Sequence, residues 1–274
     1  MTETITIAIL AKDKAHCLPL YLKCILAQTF PKNRTYLYIR TNNNTDATKE
    51  VLKDWIDKHG HLYKEVYFDD CNINVSLEQY APHEWNSLRF AVLSKIREES
   101  VNWANKKNSH YFVADCDNFI HPQTIEALLE TRLPVVGPFL VTGETMYSNF
   151  HHKTDNNGYL LNSPEYYFIH GQTISGLIMV DVIHCTYLIR HEVLDKVSYH
   201  QDGDPRHEGI DLRSMPMSKI RDPRHEYVIF SEILRKAGIN QYLDNRHIYG
   251  RITFTDNLQN FQKEPWLEEF NNNS

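Results

Sequence analysis

The run Tyr111-Phe112-Val113-Ala114-Asp115-Cys116-Asp117-Asn118-Phe119-Ile120 sets two carboxylates two residues apart at the end of an apolar, strand-like stretch. Side chains alternate along a strand, so Asp115 and Asp117 share one face if the strand continues. Where it opens into a loop, both reach one hard cation. Two carboxylates, diphosphate oxygens and water suit Mn2+ or Mg2+. Asp-X-Asp also occurs as a solvated turn, so its meaning depends on its surroundings. Cys116, between the two, is expected to point into the sheet.

The elements that must position this pair follow from apolar period. Ile5 to Leu10 reads as a strand, and Leu18, Leu22, Ile25 and Leu26 as a helix that Pro31 stops. Tyr36 to Arg40 is a second strand, Ala47 to His59 a second helix and Tyr63 to Phe68 a third strand. Leu88 to Trp103 is a long helix leading into the strand that carries the aspartates, and Pro122 begins another. Strands alternating with helices predict a parallel sheet covered by helices. Val135 to Leu140, Gly158 to Leu160, Tyr166 to Ile169, Gly176 to Val182 and Cys185 to Ile189 read as strands of a mixed second half. Tyr227 to Lys236 is a late helix closed by Gly238, and Gln241 to Asp244 a final strand. Asp-Pro-Arg-His-Glu occurs at 204–208 and again at 222–226, and the stretch between lacks an apolar period.

Ligands of open α/β sheets bind beyond the carboxyl ends of the strands. Three loops fall there: Ala11 to Lys14, Thr41 to Asp46 and Asp115 to Asn118. Ala11, Lys12, Thr41, Asn43, Asp46 and Asp115 are therefore candidates for holding a nucleotide. Thr41 to Asp46 reads equally as an Asn-rich turn capping a helix. Arg89, and less strongly Lys95, are candidates for diphosphate contact, Arg through its planar fork. His184 or His247 could add an imidazole to the aspartates as a third metal ligand. Asp222 and Glu226, at the start of the late helix, are helix-capping acids or a general base.

The bulk properties narrow the class. A chain of 274 residues with 42% hydrophobic and 23% charged residues is globular. A net charge of −6 argues against a nucleic-acid partner. Five scattered cysteines fit neither a disulfide framework nor a thiolate zinc site. There is no GxGxxG and no GxxxxGK[ST], which counts against a dinucleotide dehydrogenase and a P-loop NTPase. The first ten residues read as a strand and not as a leader, and no apolar run is long enough for a membrane span. The expectation is a soluble, cytoplasmic protein (host cytoplasm if viral).

Collinear blocks along nearly the whole chain carry a resemblance. They are Ala8-Ile9-Leu10-Ala11-Lys12 with His16, Leu18-Pro19, Thr41 to Thr48 with Glu50-Val51-Leu52, and Trp85 with Ser87-Leu88-Arg89-Phe90-Ala91. Then follow Asp115-Cys116-Asp117-Asn118-Phe119, Tyr147-Ser148-Asn149-Phe150, His184-Cys185-Thr186-Tyr187-Leu188-Ile189, Ala237-Gly238-Ile239, and Asn245-Arg246 with Tyr249-Gly250. The chain resembles the N-terminal glycosyltransferase domain of the procollagen galactosyltransferases and their relative, the cerebral endothelial cell adhesion molecule.

The resemblance implies a GT-A type α/β fold, a UDP-sugar donor and a divalent cation, usually Mn2+. It implies metal binding by Asp117, with Asp115 on the ribose or on the metal through water. Where the family has two adjacent aspartates before an apolar helix, this chain has His225-Glu226; where its last motif has His, this chain has Ile248, with His247 one place earlier. A single domain over 1–274 is expected, with a nucleotide-binding half at 1–120, an acceptor half at 121–274 and a mobile insertion at 201–224. The implied activity moves a hexose, galactose favoured, to an acceptor hydroxyl such as hydroxylysine of a collagen-like protein. It proceeds with inversion, and Glu226 is the base. A glycan acceptor and a non-catalytic binding module of the same fold are the alternatives.

Overall fold

The computed structural model describes residues 3–73, 87–143, 145–200 and 224–253. Asp222 and the expected insertion up to residue 223 lie outside them. Seven elements build the first half: β1 (Ile5–Ala11), α1 (Leu18–Leu26), β2 (Thr35–Thr41), α2 (Thr48–His59), β3 (Glu65–Asp69), α3 (Ser87–Lys106) and β4 (His110–Ala114). The second half adds β5 (Asn118–Ile120), α4 (Thr124–Glu130), β6 (Val135–Pro138), β7 (Leu140–Val141), β8 (Phe150–His151), α5 (Pro164–His170), β9 (Leu177–Val180), β10 (Val182–Ile183), β11 (Thr186–Ile189), α6 (Glu226–Lys236), β12 (Gln241–Asp244) and β13 (Gly250–Ile252).

The main sheet has the order β3-β2-β1-β4-β11-β6-β12-β9. Its first four strands, in the order 3-2-1-4, are parallel, as alternating strands and helices predict. Alternation decides which side each residue buries. Ile5, Ile7 and Ile9 pack with Leu18, Leu22, Leu52, Trp55, Ile125 and Leu128 from α1, α2 and α4. Ala8, Tyr111 and Val113 pack on the opposite face with Val101, Ala104, Phe230 and Leu234 from α3 and α6. Each Ile, Leu, Val or Phe among them, taken fully from water, contributes roughly 1.5–3 kcal/mol.

The mixed half gathers several chain segments at one edge. β11 runs antiparallel to β4, with Thr186 opposite Ala114. The start of β11 therefore lies beside the carboxyl end of β4, where the Asp115 N–H donates to the Cys185 carbonyl at 2.9 Å. Cys185 holds φ at +62°, a left-handed backbone that a non-glycine residue adopts at a cost. Asp13 and Asn43, at φ +53° and +47°, sit after β1 and β2 at the same edge.

Four local readings are corrected. Gly158 to Leu160 is a bend, with only an isolated bridge from Leu160 to Thr154. Gly176 to Val182 divides between β9 in the main sheet and β10, which pairs with β8. Tyr166 to Ile169 is helical, within α5, because Ser163 accepts from the Tyr166 N–H and Pro164 stands in the first turn. Val135 to Leu140 is two strands in different sheets: β6 stays in the main sheet, and β7 joins β5 and β13 in a three-stranded one.

That small sheet depends on a close approach. A Cβ on Gly250 would lie 2.1 Å from the Phe119 carbonyl oxygen and 3.0 Å from Ile120 Cα, both rigid backbone. Gly250→Ala is expected to destabilise the fold by about 1–3 kcal/mol through overpacking, read as a lower thermal midpoint. An unchanged midpoint would mean that β13 moves away from β5 without penalty. Among the described residues, no helix is long and apolar enough to cross a membrane.

Candidate active site

The aspartates sit on a tight turn between β4 and β5, closed by the Asn118 N–H donating to the Asp115 carbonyl at 2.8 Å. Cys116 is buried beneath them with its Sγ 3.5 Å from the Leu10 carbonyl, as its position in the motif predicts. Each carboxylate meets a different cation. Lys14 Nζ donates to Asp117 Oδ2 at 2.7 Å, and Arg97 Nη2 donates to Asp115 Oδ1 at 2.7 Å. Burial raises the proton affinity of Asp117. Lys14 opposes that shift and the nearby charge of Asp115 reinforces it. Burial works against the Lys14 ammonium, but Asp117 outweighs it and Lys14 holds its proton more tightly than usual.

Arg97 also reaches the late helix. Its Nε lies 3.4 Å from Oε1 of Glu226, the first residue of α6. Glu226 is 5% exposed. Burial raises its proton affinity, Arg97 lowers it, and Asp115 adds to the rise. One guanidinium thus stands between the expected donor-side and acceptor-side carboxylates. Arg97 and Lys14 were not singled out by sequence reasoning. The signal for Arg97 was available: Phe90, Ser94, Arg97, Val101 and Ala104 form one buried stripe of α3 at spacings of three and four.

The other expected donor contacts divide differently. Ala11 is buried at the end of β1, paired with Thr41. Lys12 forms an ion pair with Asp13. Thr41 Oγ1 accepts from Asn44 Nδ2 at 2.6 Å. Asn43 Oδ1 accepts from the Ile73 N–H and its Nδ2 donates to the Ile73 carbonyl. Asp46 accepts from the Ala15 and Thr48 N–H groups, at 2.9 and 3.0 Å. Hydrogen bonds from Asn43 and Asp46 thus tie the loop after β2 to those after β3 and β1. Arg89 lies on α3 two turns before Arg97 and is half-buried. Further along the same helix, Arg97 is the arginine that pairs with Asp115. Lys95 is exposed and pairs with Glu99 along the helix.

The expected imidazole ligands do not join the aspartates. β13 runs antiparallel to β5, with Ile252 opposite Asn118 and Gly250 opposite Ile120. The residue it brings to Asp117 is Thr253, whose N–H donates to the Asp117 carbonyl at 2.9 Å. His247 is exposed beyond the other end of that pairing, near His121, whose proton affinity is lowered by burial and then by His247. His184 is buried, with Nδ1 2.8 Å from Cys185 Sγ and its ring against Tyr227 and His151. Burial pushes its proton affinity well down, so it is neutral.

Two of the longer motifs are structural. Asn149 Nδ2 donates to the Pro138 and Thr186 carbonyls, and its Oδ1 accepts from the Leu140 N–H, joining β6, β7 and β11. Asp244 accepts from Arg246 and from the Tyr249 hydroxyl, while Asn245 Nδ2 donates to the Ile169 and Ile174 carbonyls.

Among the described residues, no three His, Cys, Asp or Glu side chains gather as a metal cage. The two aspartates still fit a hard divalent cation. Their ligand atoms are oxygens, and a cation would favour the charged form of Asp117, whose proton affinity is raised by burial first and by the neighbouring Asp115 charge after it. The remaining ligands would come from diphosphate and water.

Residues 2–266 match the family described as Glycosyltransferase family 25, N-terminal domain. The chain belongs to glycosyltransferase family 25. Among members of family 25, it is 30% identical to human procollagen galactosyltransferase 2 over 259 residues, which are 92% of this chain and 38% of that protein. It is 28% identical to the human inactive glycosyltransferase 25 family member 3, over 90% of this chain and 40% of the relative. The chain thus spans about two fifths of the length of the curated relatives it matches. The structure of S. aureus TarS 1-349 in complex with UDP covers 92% of this chain and 61% of its own, with TM-score 0.52 and 15% identity. That likeness shows the GT-A type fold.

Proposed function

We propose that this family 25 chain is a metal-dependent glycosyltransferase that moves a hexose, galactose favoured, from a UDP-sugar to an acceptor hydroxyl with inversion. One observation carries the reading. Asp115 and Asp117 stand at the carboxyl edge of the parallel 3-2-1-4 sheet, and the buried carboxylate of Glu226 lies one guanidinium away. The relatives named procollagen galactosyltransferase make hydroxylysine of a collagen-like protein the leading acceptor. A glycan hydroxyl is the runner-up.

Asp115 and Asp117 would hold Mn2+ or Mg2+ together with the donor diphosphate. That cation, when bound, offsets charge on the UDP leaving group. Lys14 holds Asp117 in place and adds positive charge where the diphosphate gathers negative charge. Glu226 takes the proton of the acceptor hydroxyl as it attacks the anomeric carbon. Its raised proton affinity suits a base working near neutral pH.

The test is release of UDP from UDP-galactose, UDP-glucose and UDP-N-acetylglucosamine with Mn2+, with and without a hydroxylysine peptide or an oligosaccharide. Acceptor-stimulated release is expected with UDP-galactose. A relative named inactive favours a second reading, a non-catalytic module of the same fold. No release from any donor, with or without acceptor, would decide for that module.

A further inference from the structure

We infer that Arg97 is a positioning residue that fixes Glu226 relative to Asp115, joining the acceptor side of the site to the donor side. The inference rests on the reading of Glu226 as the acceptor-side base. Arg97 is 4% exposed and uses different nitrogens on different carboxylates, Nη2 on Asp115 at 2.7 Å and Nε on Glu226 at 3.4 Å. The two carboxylates come from separate elements, the end of β4 and the first turn of α6. Nothing else among the described residues is seen to bridge them by an ion pair.

Its own platform is fixed. Ser100 Oγ donates to the Arg97 carbonyl at 2.7 Å and shares a hydrogen bond with the Tyr111 hydroxyl of β4. Stability alone does not call for this arrangement. Nε and Nη1 are buried and make no hydrogen bond. A buried ion pair with unsatisfied donors is often no more stable than an apolar replacement of similar volume. What the guanidinium supplies and an apolar side chain cannot is a positive charge tethered to Asp115 by the Nη2 hydrogen bond, on a rigid plane that sets Nε 3.4 Å from the Glu226 carboxylate. A lysine keeps the charge, but its single ammonium is a point without that plane.

The experiment is a cycle of Arg97→Lys and Glu226→Gln. It reads kcat and donor KM, Mn2+–UDP affinity by calorimetry, and thermal midpoint. Arg97→Lys is expected to fold, to bind UDP within about threefold of the parent, and to lose about 30-fold or more in kcat with donor KM little changed, because a positioning defect acts in the transition state. Adding Arg97→Lys to Glu226→Gln is expected to cost less than about threefold more, since residues acting as one unit are non-additive. Parent-like kcat in Arg97→Lys, or a full independent loss from the second substitution, would overturn the inference.

If the parent protein releases no UDP, the enzymatic reading fails and the calorimetric cycle decides this one alone. A change in Mn2+–UDP affinity on Glu226→Gln that disappears in the Arg97→Lys background supports the coupling. An equal effect of Glu226→Gln in both backgrounds, or none in either, overturns it.

Discussion

Asp117→Ala is expected to abolish cation-dependent UDP binding and to lower UDP release by at least about a hundredfold, since a bound cation contributes several kcal/mol toward charge developing on the leaving group. The fold is expected to survive. The Lys14–Asp117 pair is partly buried, at 29% and 27% exposed, and its loss is expected to cost on the order of 1 kcal/mol, small against the stability of the fold. The main-chain role of Asp117, accepting from the Thr253 N–H, does not depend on its side chain. The loss should therefore appear in binding and not in the thermal midpoint. Titration of UDP into the variant with and without Mn2+ checks this. Parent-like affinity that still requires Mn2+ would remove Asp117 from the cation site. A conservative companion, Lys14→Met, separates the partner from the ligand: it is expected to weaken UDP binding while leaving its Mn2+ dependence in place.

The first four strands and the aspartate turn were legible because their information is local. Ile5, Ile7 and Ile9 alternate with smaller or polar neighbours, and a carboxylate pair after an apolar strand needs no distant partner to be noticed. The rest depended on contacts that no short window contains. Lys14 meets Asp117 across 103 residues, and only the β1–β4 pairing brings their loops together. Arg97 looks like any charge on a surface helix until the stripe through Phe90, Val101 and Ala104 shows that its face is buried. Thr41, Asn43 and Asp46 sit where a nucleotide would be expected, yet short amide, hydroxyl and carboxylate groups readily bond to neighbouring backbone, and here they lock loops together. His247 was drawn toward the metal by its place after the last expected strand. The unforeseen β13 follows it, and the antiparallel register with β5 brings Thr253 to Asp117 instead.

Glu226→Gln is expected to lower kcat by about 10²- to 10⁴-fold, the range for loss of a general base, with donor KM and UDP affinity changed little. The substitution keeps shape and an oxygen acceptor facing Arg97, so the buried guanidinium retains a neighbour. What it removes is the ability to take a proton. The carboxyl is tuned by opposing forces: burial raises its proton affinity, the Arg97 charge lowers it, and Asp115 raises it again. The net rise fixes the sign of the pH dependence. Protonated Glu226 cannot act as a base, so parent activity falls as pH is lowered through a value above that of an ordinary glutamate. The residual activity of Glu226→Gln should lack that acid limb. A purely structural carboxylate would behave otherwise: the variant would lose thermal stability and donor affinity together and keep the parent's pH profile at reduced amplitude. Measuring kcat, donor KM and thermal midpoint across the acid range distinguishes the two. An acid limb that persists unchanged in the variant would assign the base to another residue.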